Sequence, residues 1–134
     1  MDHATALQNQ VKGFFGGTLG IRFISAEPQR VVAELTVRDE LCTVPGILHG
    51  GAMMAFADQL GAAGTSLNLP PNARTTTIES KTNFFGPGRS GTTITAECLP
   101  LHLGRRTHVW QTSIRSPEGK LLAQVTQTQF VDLA

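Results

Sequence analysis

Between Glu40 and Arg74 the chain carries one acid and no Lys or Arg, the acid being Asp58 in the run GILHGGAMMAFADQLGAAG at residues 46–64. A carboxylate taken out of water without a partner costs several kcal/mol. An acid in such surroundings is either satisfied by a hydroxyl or backbone amide, or kept for chemistry as a nucleophile or general base. At the head of the same run, His49-Gly50-Gly51 places two residues without Cβ atoms at what reads as the first turn of a helix, where N–H groups lack intrahelical partners. Those amides and the positive end of the helix dipole suit an oxyanion or a phosphate, and glycine lets a substrate approach the backbone. The same pattern also suits an ordinary glycine-rich helix start, with His49 as a cap or a core histidine.

Spacing sets how the two halves can cooperate. Asp58 follows Gly50 by eight residues, ~12 Å along a helix axis, whereas a base or nucleophile must come within ~3 Å of its target. One chain cannot bring both to a single carbonyl. Two such helices packed antiparallel about a twofold axis can, each setting its Asp58 beside the other's Gly50 N–H. A working site therefore predicts a dimer with two equivalent sites.

The run itself predicts a helix from Gly50 to Ser66, with Ala, Met, Phe, Leu and Gly on every face. A helix apolar all round is a buried helix. Ahead of it, residues 4–15 carry Ala6, Leu7, Val11, Phe14 and Phe15 at helical spacing, with Gly16-Gly17 as the expected stop. Residues 21–39 read as an antiparallel hairpin turning at Glu27-Pro28-Gln29, its apolar face made of Val31, Ala33, Leu35 and Val37. ELCTVPGIL reads as a loop. From Arg74 onward the pattern is period two, rich in Thr, Val and Ile. Breaks at Gly86-Pro87-Gly88, Leu103-Gly104 and Ser116-Pro117-Glu118-Gly119 divide it into four strands. The last three join as a meander of antiparallel neighbours. The whole is one α+β domain, residues 1–134, with a short N-terminal helix and a sheet curled around the long one.

Composition narrows the function. Eleven Lys plus Arg against ten Asp plus Glu leave no basic stripe for nucleic acid and no polybasic membrane patch. The longest apolar stretch, around residues 52–57, falls far short of the ~20 residues that span a bilayer, and the N-terminus does not read as an export signal. Cys42 and Cys98 are far apart without a C-x-x-C pair, and the four histidines have no metal-binding spacing. The expectation is a cytoplasmic protein with no metal and no disulfide.

His49-Gly50-Gly51 with Asp58 nine positions after the histidine, followed by TTTIESKTNFFGP, GRRTHVWQTSI and GKLLAQVTQTQF, resembles the PaaI-like hotdog-fold acyl-CoA thioesterases from about Leu19 to Phe130. The resemblance implies a hotdog fold, dimers paired through a continuous sheet and often assembled into tetramers, and hydrolysis of an acyl-CoA thioester, with coenzyme A as part of the substrate and no cofactor. Carried over by position, it implies that Gly50 polarises the carbonyl through its N–H and that Asp58 of the partner attacks it or activates water. His49 steadies the helix start, and Thr77 holds a hydroxyl near the attacking water. Six residues before the histidine, where many relatives carry Asn or Gln near the thioester, this chain has Thr43.

Thioester chemistry suits these residue types on its own terms, since helix-terminal N–H donors stabilise the developing oxyanion and an oxygen nucleophile or base completes the reaction. Gly51 belongs with the N–H donors. For the nucleotide of coenzyme A, Arg89 in GPGRSG and Arg105-Arg106 in GRRT sit in turns where they can meet phosphates. Met53, Met54, Phe84 and Phe85 can line an acyl or aryl pocket. Two other readings stay open. A hotdog hydratase or dehydratase would need a catalytic histidine paired with an acid at another spacing, and a non-catalytic acyl-CoA binder is compatible with Thr43.

Overall fold

A computed structural model describes residues 1–133. The elements in chain order are α1 (His3–Val11), α2 (Phe15–Leu19), β1 (Arg22–Glu27), β2 (Arg30–Thr36), a 3-10 turn (Asp39–Leu41), β3 (Cys42–Val44), β4 (Ile47–Leu48), α3 (Gly50–Ser66), β5 (Arg74–Phe84), β6 (Thr93–Leu103), β7 (Thr107–Arg115) and β8 (Leu121–Asp132). Six strands form one antiparallel sheet in the order β1-β2-β6-β7-β8-β5, and β3 and β4 form a small separate hairpin. The expected hairpin, long helix, four strands and β6-β7-β8 meander are all present.

Helix α3 lies against the inner face of the sheet, where alternate strand residues (Val31, Ala33, Leu35, Ile94, Ala96, Trp110, Ile114, Val125) are wholly buried together with Phe56, Ala57 and Leu60 of the helix. Gly61 and Gly64 each lower helix propensity by about 1 kcal/mol relative to Ala, whereas burying Phe56, Leu60 and Met53 contributes about 1.5–3 kcal/mol apiece. Packing, not propensity, holds this helix.

The register explains the glycines. Trp110 of β7 and Gln127 of β8 are direct cross-strand partners, and both side chains point at α3. The ring of Trp110 lies 2.7–3.0 Å from where a Cβ on Gly64 would stand, and a Cβ on Gly61 would fall inside the Gln127 carboxamide. The close approach lets Trp110 Nε1 donate to Thr65 Oγ1 at 2.8 Å.

Two expectations need correction. The first helix ends at Val11, and Gly16-Gly17 do not stop it but lie inside α2. The turn falls instead at Gly13, with φ of +80°. Gly16 is packed too tightly for a side chain, since its Cβ would meet Val11 Cγ1 and Gln59 Oε1 at 2.9 Å. The segment read as the loop ELCTVPGIL contains the 3-10 turn and the β3-β4 hairpin, which turns through Gly46 in the left-handed region, φ +82°.

The two sheet edges are treated differently. At β1 the Gln8 carboxamide of α1 donates to Ile21 O at 2.9 Å and accepts from Phe23 N–H at 2.8 Å, occupying backbone groups a neighbouring strand would otherwise bond. At β5 no strand or helix of the described residues pairs with the outer edge.

Because neither Trp110 nor the sheet behind it can move aside, Gly64→Ala is expected to destabilise the fold by about 1–3 kcal/mol despite the better helix former. A lowered midpoint of urea denaturation checks this, and an unchanged midpoint would show that the helix has room to shift.

Candidate active site

Asp58 sits half-buried on the side of α3 that faces β5, in an open recess lined by Met54, Ala55, Asp58, Thr77 and Ser80. Its carboxylate is held asymmetrically. Thr77 Oγ1 donates to Oδ1 at 2.8 Å, and Gln127 Nε2 donates to the same Oδ1 at 3.1 Å. No donor among the described residues meets Oδ2. Gln129 Nε2 in turn donates to Thr77 Oγ1 at 2.6 Å, and Thr75 Oγ1 donates to Gln129 Oε1 at 2.9 Å. The chain of donors runs one way, toward the carboxylate.

Strand β5 is shaped for this. A register shift between Thr77 and Glu79 makes Ile78 an extra, 57% exposed residue, so that Thr77 and Ser80, three apart, both line the recess.

Thr77 was expected near an attacking water, and the structure bonds its hydroxyl to Asp58 itself. The two glutamines were not expected. They occupy inward positions of β8 in step with Val125 and Val131, and both are fully buried. A polar amide at core parity in QVTQTQF was the signal that could have found them.

At the start of α3, His49 is the N-cap and its Nδ1 accepts the Gly51 N–H at 2.7 Å, while the His49 carbonyl accepts from Ala52 and Met53. The Gly51 N–H is therefore already engaged. The Gly50 N–H has no acceptor among the described residues. Phe84, at the end of β5, lays its ring over Gly50, 3.1 Å from where a Cβ would stand. The arrangement offers an unpaired backbone donor at a helix N-terminus under an aromatic ring and, ~12 Å along the axis, a carboxylate with one free oxygen. These are the parts needed to polarise a carbonyl and attack it.

A family comparison decides which carbonyl chemistry the chain shares with known proteins. The thioesterase superfamily pattern matches residues 45–123, from the β3-β4 hairpin through α3 and into β8. The chain belongs to the thioesterase superfamily. It is 31% identical over 116 residues to the 1,4-dihydroxy-2-naphthoyl-CoA hydrolase of Escherichia coli, covering 87% of this chain and 85% of that one. A mutant thioesterase of Pseudomonas aeruginosa superposes with a TM-score of 0.91 at 28% identity, covering 96% of this chain and 93% of that one. A hypothetical thioesterase of Streptococcus pneumoniae solved with coenzyme A superposes with a TM-score of 0.76 at 26% identity, covering 83% and 84%. The protein is a thioesterase with the hotdog fold.

The remaining expected residues of the thioesterase do not gather at one place. Thr43 is exposed on β3, in a hollow with Asp39, Cys42, Val44 and Pro45. Arg89 bridges to Ile47 and lines a hollow with Ser116, Glu118 and Lys120. Arg105 and Arg106 stand in the β6-β7 turn, Arg106 with its guanidinium 5.4 Å from the centroid of the Phe130 ring. Phe84 pairs with Ala123 and Thr107 pairs with Phe130, so Arg89 and the Arg105-Arg106 turn lie at opposite ends of the sheet. Of the two cysteines, Cys98 is no candidate nucleophile. Both are free, Cys98 is sealed in the sheet, where burial pushes its thiol up to about 12, and Cys42 lies in the β3 hollow. No helix of the described residues is long and apolar enough to cross a membrane.

The Arg105-Arg106 turn is anchored by His108, 4% exposed, whose Nδ1 lies 3.0 Å from Thr65 Oγ1. Burial lowers the pKa of His108 below the usual histidine range; a hydrogen bond to Gly104 opposes this and His102 adds to it. The unfolded chain therefore binds this proton more readily than the folded one. The stability at stake is fully present above the ordinary histidine value and is lost as pH falls below it. The thermal midpoint should drop less between about pH 7.5 and about pH 5.5 in His108→Gln than in the wild type; equal drops would refute a role for His108.

Proposed function

We propose that the protein hydrolyses an acyl-CoA thioester to the free acid and coenzyme A, at two equivalent sites each built by two subunits. The observation that carries this is the separation on α3 of the unpaired Gly50 N–H and the free Oδ2 of Asp58, complementary groups that a single helix cannot bring to one carbonyl. The open β5 edge supports the pairing. Asp58 lies on the β5 side of α3, and joining β5 to the β5 of a second copy about a twofold axis runs the two helices antiparallel. Dimers could assemble further as dimers of dimers.

In this reading the thioester oxygen accepts from Gly50 N–H at the helix start, where the dipole favours the negative charge of the tetrahedral intermediate. His49, by binding the Gly51 N–H, keeps that turn in shape. Asp58 from the other subunit either takes a proton from the attacking water or adds to the carbonyl itself. The C–S bond then breaks, coenzyme A leaves as the thiol, and water supplies the oxygen of the acid. The apolar Met54 and Ala55 beside Asp58, with Phe84 over Gly50, suit a small or aromatic acyl group, in line with the naphthoyl substrate in the name of the E. coli relative. Arg89 at one end of the sheet or Arg105 and Arg106 at the other can meet the phosphates.

The test is subunit complementation with release of thiol from a panel of acyl-CoAs as readout. Asp58→Asn is expected to lose at least about a hundredfold in kcat. Gly50→Pro, which deletes the N–H at a helix position that accepts proline, should lose a comparable factor. Unfolded together and refolded, the two variants should recover about a quarter of wild-type activity, because half of the dimers are mixed and each mixed dimer holds one intact site. No recovery would place both halves in one subunit and end the two-subunit mechanism. A wild type that retains acyl-CoA without releasing thiol would favour a binding protein.

A further inference from the structure

We infer that Gln127 is a positioning residue for Asp58, and that Gly61 is glycine in order to admit it. The inference rests on Asp58 being the reacting carboxylate.

Stability alone does not explain a glutamine at this position. Gln127 is fully buried, and its Oε1 has no hydrogen-bond partner among the described residues, so the desolvation of that oxygen is left uncompensated. An apolar side chain of the same length would avoid that cost. Gly61, one turn beyond Asp58, adds a second cost in helix propensity, and a Cβ there would collide with the carboxamide of Gln127. Two unfavourable choices on two different elements meet at one point. What the pair achieves is contact with Asp58, since Nε2 of Gln127 lies 3.1 Å from Oδ1 and 3.4 Å from the main-chain oxygen of the same residue.

That double contact ties the side chain of Asp58 to its own backbone and sets its rotamer. Thr77 supplies a second donor to the same oxygen, and its proton is aimed there because Gln129 occupies its lone pair from the other side. Thr75 fixes which end of the Gln129 amide does so. With both donors on Oδ1, rotation of the carboxylate is blocked and Oδ2 remains the reacting oxygen. Gln127 touches neither substrate nor leaving group in this arrangement and acts through Asp58.

Gln127→Met keeps length and volume but deletes the donor. The expected result is a fall in kcat of at least about tenfold with KM within about twofold, because orientation of a reacting group acts on the transition state more than on substrate binding. The thermal midpoint should be no lower than that of the wild type, since the orphaned oxygen is gone. Gly61→Ala should lower both the midpoint and kcat. In the double variant Gly61→Ala with Gln127→Ala the collision is relieved, so the midpoint should recover while kcat stays low. Were kcat to return together with the midpoint, or Gln127→Met to turn over like the wild type, the positioning role would be overturned while the thioesterase reading stood, provided Asp58→Asn is inactive. If Asp58→Asn retains wild-type turnover, the site reading itself fails and takes this inference with it.

Discussion

At Gly61 and Gly64 helix α3 comes so close to the sheet that a single added carbon has nowhere to go. That closeness is the constraint on which the rest of the molecule depends. It puts Trp110 within hydrogen-bonding reach of Thr65 and Gln127 within reach of Asp58, from adjacent strands in one cross-strand row. Helix and sheet are thus joined by directional bonds inside an otherwise apolar contact. Dispersion and burial decide that α3 lies on the sheet; the polar bonds decide where it stops and how it is rotated. Sliding the helix by one turn would leave an indole N–H, a carboxamide and a carboxylate without partners, each costing on the order of the desolvation penalty of a buried polar group.

The rotation chosen has a consequence for the rest of the helix surface. With Phe56, Ala57, Leu60 and Gly64 turned to the core, Asp58 comes out beside β5, the sheet edge that nothing in the described chain covers. The opposite edge is closed by Gln8, whose amide imitates a neighbouring strand. One edge is thus protected and the other, long and bulged at Thr77, is left open next to Asp58, the one carboxylate of α3, which is where the proposed mechanism brings in a second subunit. The bulge at Thr77 belongs to the same logic, because it keeps two successive inward side chains at the recess while Ile78 is left on the outside.

Much of this was legible in the amino-acid order. The all-round apolar character of residues 50–66 and the period-two pattern after Arg74 name a buried helix and an antiparallel sheet, because burial on both sides of a helix requires a wrapping partner. Asp58 stood out because its surroundings carry no other charge, and Gly50 because its neighbours predict a helix start. What stayed hidden depended on register. Gln127 and Gln129 look like surface residues of a Thr/Gln-rich strand until β8 is aligned with Val125 and Val131 facing in. Gly16-Gly17 read as a stop because glycine usually ends helices, whereas here tight packing against Val11 excludes any side chain. The arginines of GPGRSG and GRRT read alike as turn residues able to meet phosphates, because a linear sequence does not say that the turns before and after β6 lie an entire strand apart.

Thr43 shows how position and pattern can part. In the resemblance it stands where many relatives carry Asn or Gln near the thioester, yet its hydroxyl is exposed on β3 in a hollow of its own, and no described residue fixes its direction. Asp58, by contrast, is held directly by Thr77 and Gln127, with Gln129 and Thr75 in series behind Thr77. A site whose electrophile is polarised by backbone and whose carboxylate is locked from behind needs less from a side chain in front of it. The donor at Gly50 cannot rotate away because it is part of a helix, and the acceptor at Oδ2 cannot rotate away because Oδ1 is bonded twice. Preorganisation of that kind lowers the reorganisation the transition state requires. In the proposed site it is supplied by the helix and by β8, the two elements whose mutual approach the glycines control.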